Sequence, residues 1–108
     1  AVPLVVATAL ATGLPYAIVR KSAKEHGSSA GRSIEGNLYQ GERVALVEDV
    51  VTTGTQAVRA AKKLEESGAE VVTIVAVLDR REEDGEKLGG FPFRFLLRMD
   101  DLRVVKRN

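Results

Sequence analysis

The chain has 108 residues, with 16 Lys and Arg against 15 Asp and Glu, for a net charge of +1. That length holds one small domain, 1–108, with a core of its own. The near-neutral charge gives no general reason to expect nucleic acid or an anionic membrane as a partner. Cysteine is absent, which excludes disulfide and thiol chemistry and fits a reducing, cytoplasmic setting. The single histidine, His26, excludes a multi-histidine metal site.

Ala1 to Thr12 (AVPLVVATALAT) predicts a helix, with Pro3 in the first turn and Gly13 as its stop. It is apolar nearly all round, so it is expected to be buried between other elements. The apolar stretch from Ala1 to Leu14 is too short to span a bilayer and lacks the basic lead of a secretory signal. Tyr16 to Val19 (YAIV) predicts a short strand. Residues 20–41 mix glycine, serine and charge without a sustained period, which predicts one long, mobile, basic loop. Arg43 to Val47 and Val71 to Leu78 are apolar on both faces, as buried parallel strands are. Between them Thr55 to Ser67 has helical spacing at Val58, Ala61, Leu64 and Glu65, with Gly68 as its stop. Strand, helix and strand in this order form a βαβ unit. Glu82 to Leu88 predicts a short polar helix, and Phe93 to Leu97 a last strand. The class is α/β.

In open α/β sheets ligands sit beyond the carboxyl ends of the strands. Glu48-Asp49 is expected to close the first strand of the βαβ unit and Asp79-Arg80 the second, with the two tips facing one crevice. Thr52-Thr53-Gly54-Thr55 falls where the helix begins. A helix start carries unpaired N–H groups and partial positive charge, which suit a phosphate. Gly54 permits close backbone approach, and the threonine hydroxyls add donors. The pattern is neither GxxxxGK[ST] nor GxGxxG, and it fits a phosphate monoester better than a triphosphate. A threonine-capped helix after an ordinary turn is the plain alternative. Acids beside a phosphate repel it unless they bind another part of the same ligand, and a sugar diol is the obvious one. Arg20, Lys21, Lys24 and His26 form a further cluster, RKxxKxH, able to neutralise a multiply charged anion; a solvated basic turn is the alternative there. Asp79-Arg80 also reads as a surface pair continuing into RREEDGEK. Phe91, Phe93 and Phe95 read as strand residues rather than a stacking platform.

These stretches carry a resemblance. VALVEDVVTTGT resembles the phosphoribosyl pyrophosphate motif of type I phosphoribosyltransferases, RKSAKEHG the mobile loop of the orotate phosphoribosyltransferases, and VLDRREEDGEKL their next strand and turn. The resemblance implies a parallel-sheet, Rossmann-like core with helices on both faces, and transfer of a 5-phosphoribosyl group from phosphoribosyl pyrophosphate to orotate. It implies that Glu48 and Asp49 hold the ribose hydroxyls, while Thr53, Gly54, Thr55 and the Gln56 backbone cradle the 5′-phosphate. Val50 and Val51 belong to the same binding stretch. Thr52 and Arg80 would contact orotate, and Arg20, Lys21, Lys24 and His26 the pyrophosphate. Lys24, His26 and Asp49 would be catalytic. Mg²⁺ would be held mainly through the pyrophosphate and sugar. A homodimer would share the loop across its interface, with Lys24 and His26 reaching the neighbouring subunit's site; no nucleic acid or membrane would take part. Ala1 matches a position after the family's amino-terminal hood, first core strand and pyrophosphate loop, so the chain is expected to be a core lacking its amino-terminal part. A purine or uracil phosphoribosyltransferase, or a non-catalytic ribose-phosphate-binding module, are the alternatives.

Overall fold

The computed structural model describes residues 1–21, 32–83 and 85–102. Helix α1 spans Val2–Thr12 and ends at Gly13, whose φ of 73° lets its N–H reach back to the Ala9 carbonyl at 2.8 Å. Strand β1, Ile18–Lys21, pairs antiparallel with β2, Arg32–Glu35, in a sheet of two strands. Then follow β3 (Arg43–Val51), α2 (Thr55–Glu66), β4 (Glu70–Asp79), the two-residue β5 (Lys87–Leu88) and β6 (Phe91–Arg98). The second sheet has the order β3-β4-β6-β5. Its β3–β4 and β4–β6 pairs are parallel, and β5 turns back antiparallel on β6.

The predicted βαβ unit is present as β3-α2-β4, and it organises the core. Ala57, Ala60, Ala61 and Leu64 recur at helical spacing and give α2 one buried face. They pack with Leu46 of β3, Val71, Ile74 and Ala76 of β4, and Phe93 of β6. Small alanines let the helix lie close to the sheet, and Ile74 at its centre is fully buried. Truncating such a residue to alanine typically costs about 2–5 kcal/mol through lost transfer energy and the cavity left behind. The helix closes at Ser67, and Gly68, at φ 100°, carries the chain into β4. Registry at the start of the pair is fixed by the Gly41 N–H on the Gly68 carbonyl and the Glu70 N–H on the Glu42 carbonyl.

Four expectations change. Helix α1 has no buried residue, and Leu10 is 82% exposed. Its apolar surface rests partly against β3 and, among the described residues, is not enclosed on its remaining sides. Periodicity reports that a surface is apolar, not what covers it. Strand β3 is an edge strand among the described residues, which leaves Ala45 exposed instead of buried on both faces. It also runs four residues past Val47, so Glu48 and Asp49 lie within the strand and Val51 ends it. Within the 20–41 segment, Arg20 and Lys21 finish β1, and Arg32–Glu35 forms β2 paired with it, in place of one continuous loop; residues 22–31 fall outside the described residues. Finally, the described part of Glu82–Leu88 is bends and β5, not a helix. Its carbonyls at Gly85 and Lys87 are taken up by Arg81, which competes with helical pairing.

Candidate functional site

Strand β3 delivers the chain to the start of α2 through Thr52, Thr53 and Gly54. Gly54 is the N-cap residue, at φ 90°, a left-handed conformation that favours glycine. It is also buried, because the Leu88 side chain from β5 lies where a Cβ would stand. The threonine-capped alternative holds only in part: nothing caps from Gly54 itself, but the Thr55 N–H, the first of the helix, donates to Thr53 Oγ1 at 3.3 Å, and Thr53 Oγ1 donates to Thr55 Oγ1 at 3.1 Å. Thr52, Thr53, Thr55 and Gln56 are exposed around it. A helix start with no cap from its N-cap residue, ringed by hydroxyls, suits an anion, since its remaining N–H groups and its dipole both favour negative charge.

A cleft of about 120 Å³ opens here, lined by Glu48, Val50, Val51, Thr52, Thr53, Gly54, Gln56 and Ala57. The structure thus gathers most of the predicted binding stretch around one space. Asp49 and Thr55 adjoin it without lining it. Asp49 is exposed and its Oδ1 accepts the Val50 N–H at 2.8 Å, whereas Glu48 is half-buried and faces the cleft. Consecutive residues of a strand point to opposite faces, which accounts for the split between the two acids. Glu48 also reaches the rim of a larger cavity, about 450 Å³, between α1, residues 14–19 and β3. That cavity is lined largely by aliphatic side chains, so the polar cleft is the better place for chemistry.

Strand β4 ends beside β3, with Asp79 in register with Val51. The two tips adjoin, but neither Asp79 nor Arg80 lines the cleft, so the expected shared crevice is not seen, and their acids do different work. Asp79 is fully buried. Arg81 donates to it three times, from its backbone N–H and Nε to Oδ1 at 3.0 Å each and from Nη2 to Oδ2 at 3.2 Å. Arg98, in register with Asp79 on β6, brings Nε to 3.9 Å of Oδ2. Burial alone raises the Asp79 pKa, but the hydrogen bonds and charge of Arg81, helped by the charge of Arg98, outweigh it and hold the carboxyl below its ordinary value. Asp79 and Arg80 are therefore not a surface pair. Arg80 is exposed, and its N–H donates to the Val51 carbonyl at 2.7 Å, which fixes its backbone at the mouth between the two strands.

Arg20, on β1, is paired with Glu35 across the hairpin at 2.8 Å, with both side chains more than half exposed. Lys21 is the last residue of β1. Lys24 and His26 lie outside the described residues. Among the described residues no three acids or histidines gather as a metal cage. Sequence reasoning missed Arg81 and Arg98. The signal was available: an acid closing the apolar run VVTIVAVLD cannot be buried without a cation and hydrogen bonds, and both cations follow it in the chain, Arg81 in the next segment and Arg98 on β6.

A parallel α/β unit with a polar cleft at the carboxyl end of its edge strand belongs to the class of domains that bind ligands at strand tips. Comparison with known proteins narrows this. The chain belongs to the family described as the phosphoribosyl transferase domain, which matches residues 1–100. It is 50% identical over 95 residues to an orotate phosphoribosyltransferase of Pyrococcus horikoshii, a match covering 88% of this chain and 50% of that protein. The structure resembles that of orotate phosphoribosyltransferase from Aeropyrum pernix, with a TM-score of 0.75 and 29% identity over 92% of this chain and 55% of that one. It also resembles the Mycobacterium tuberculosis orotate phosphoribosyltransferase solved with 5-phospho-α-D-ribosyl 1-diphosphate. There the TM-score is 0.52 and the identity 32%, over 65% of this chain and 43% of that one. The chain spans about half the length of the curated relatives it matches.

Proposed function

We propose that the protein transfers the 5-phosphoribosyl group of phosphoribosyl pyrophosphate to orotate, giving orotidine 5′-monophosphate and pyrophosphate in pyrimidine synthesis. The observation that carries this reading is the cleft in which Glu48 lies beside the start of α2 at Gly54. The 5′-phosphate is received by the backbone of Gly54 and Gln56 and the hydroxyls of Thr53 and Thr55. Glu48 and Asp49 accept hydrogen bonds from the ribose hydroxyls. Thr52 meets the base, and Arg80, held at the mouth of the two strands, meets the orotate carboxylate.

The bond between ribose C1 and the pyrophosphate oxygen breaks, and its electron pair leaves with pyrophosphate. Positive charge develops on the sugar beside the two carboxylates, and negative charge develops on the leaving group beside the cations of the basic segment, Arg20, Lys21, Lys24 and His26. The orotate ring nitrogen then forms the new bond to C1 and gives up its proton, which leaves with pyrophosphate or passes to water. Mg²⁺, when bound, offsets pyrophosphate charge. The strand acids Glu48 and Asp49 suit a hard ion that keeps mostly substrate and water ligands. In a homodimer, Lys24 and His26 serve the neighbouring subunit's site, and the reaction takes place in the cytoplasm.

The experiment is turnover of orotate with phosphoribosyl pyrophosphate and Mg²⁺, followed by orotate absorbance, alongside calorimetric binding of orotidine monophosphate. Turnover supports the transferase. Because the chain spans about half of its relatives, a binding module without turnover is the second reading. Tight orotidine monophosphate binding with no turnover supports it, and absence of both overturns the two readings together.

A further inference from the structure

Arg81 is 7% exposed, and its guanidinium is spent wholly on the protein. Besides the Asp79 carboxylate, Nη2 donates to the Gly85 carbonyl at 3.0 Å and Nη1 to the Lys87 carbonyl at 3.4 Å. Its carbon lies 4.5 Å from the centre of the Phe93 ring. The two carbonyls belong to the segment that leads into Leu88. Leu88 is buried against Gly54, and the Val58 side chain, in the first turn of α2, lies where a Cβ on Gly89 would stand. A continuous set of contacts thus runs from the tip of β4, through Arg81 and residues 85–88, to the floor of the cleft. On its other side, Arg81 fixes the peptide that carries Arg80. Its N–H is held by Asp79 Oδ1, and its carbonyl accepts Arg98 Nη2 at 3.2 Å.

We infer that Arg81 is a positioning residue for ligand binding: by holding Gly85 and Lys87 it seats Leu88 beneath Gly54, and so sets the phosphate loop. The inference rests on the proposed function in taking that loop to receive a 5′-phosphate. Its physical basis is that a guanidinium is a rigid fork able to serve a carboxylate and two carbonyls at once. A lysine ammonium keeps the charge opposite Asp79 but cannot keep that geometry. Arg81→Lys therefore separates neutralising Asp79 from seating Leu88.

The test is calorimetric titration of the wild-type chain and Arg81→Lys with ribose 5-phosphate and with orotidine monophosphate, well below both melting temperatures. Only folded protein is then read. The expected result is a loss of about tenfold or more in ribose 5-phosphate affinity, since displacing a positioning group by an ångström can cost up to about a hundredfold. Orotidine monophosphate should lose at least as much. A lowered melting temperature with both affinities at the wild-type value is what a merely structural role gives, and it overturns the inference. If Arg81→Lys does not fold, wild-type amide exchange decides. Saturating ribose 5-phosphate should slow exchange at Arg81 and Leu88 as well as at the loop, and unchanged exchange at those two overturns the inference. A wild-type chain that binds neither ligand overturns the functional reading and this inference with it. A wild type that binds, with a variant that binds equally well, overturns only the inference.

Discussion

Strands β3 and β4 lie side by side and parallel, and each nears its carboxyl end with an acid, yet the two tips have opposite fates. On β3, Glu48 faces a polar cleft and Asp49 is exposed. On β4, Asp79 is sealed from solvent between two arginines. Local sequence and sheet position act together. Arg81, two residues beyond Asp79, supplies its hydrogen bonds, and β4, flanked on both sides, adds Arg98 of β6, whereas β3 is an edge strand among the described residues. An acid at a strand tip faces solvent on β3 and is closed in by arginines on β4. Acids at adjacent strand tips thus sit in opposite environments, one open and one holding the fold together.

The largest expected effect tests that division directly. Asp79→Ala leaves Arg81 buried without its partner and should cost about 3–5 kcal/mol of stability. Asp49→Ala should stay within about 0.5 kcal/mol, as exposed positions do. Urea denaturation of both variants measures the difference, and equal losses would break the comparison. Acid titration is an independent probe. The folded pKa of Asp79 is depressed below its ordinary 3.8, so its contribution is fully present above the unfolded value. It is lost as pH falls below about 4 toward the folded pKa, because protons then bind the unfolded chain preferentially. Asp79→Asn should flatten that part of the stability curve, which urea midpoints measured across acid pH would reveal.

Gly54→Ala comes next. A Cβ there meets Leu88 on a backbone at φ 90°, so we expect about 1–3 kcal/mol of destabilisation, together with loss of ribose 5-phosphate binding. Calorimetry and melting on one sample separate the two effects. The smallest effect on the fold should be that of Arg80→Ala. Its side chain is exposed, so stability should hardly change, while orotate affinity falls roughly ten- to a hundredfold, the worth of a charge-assisted pair of about 1.5–3 kcal/mol. Equal losses for orotate and phosphoribosyl pyrophosphate would show that Arg80 is not specific to the base.

The βαβ unit was legible because local signals agreed: apolar runs for β3 and β4, alanine and leucine spacing for α2, glycines at the turns. The cleft was legible because hydroxyls, glycine and acids have little reason to cluster at a strand–helix junction otherwise. The fate of α1 was not, since an all-apolar helix reads the same whether or not its partners are present. Nor was the Asp79 network. Its members are two and nineteen residues apart, and the longer link depends on which strand pairs with β4. The turn after Arg81 misled for a related reason, because its polar, charged residues satisfy helix propensity while a distant-acting side chain claims their carbonyls.

Heating changes the balance between the two kinds of ion pair in this chain. The cost of keeping charges dry falls as temperature rises, because the hydration of ions becomes less favourable, while stabilisation from apolar burial levels off. The buried Arg81–Asp79 pair therefore gains relative weight in hot solution, and the exposed Arg20–Glu35 bridge of the hairpin, already immersed in solvent, gains little. Warming should loosen the molecule unevenly, with the β1–β2 hairpin opening before the end of β4. Amide exchange followed against temperature would show Ile34 losing protection while Arg81 retains it, and the reverse order would refute this thermal ranking.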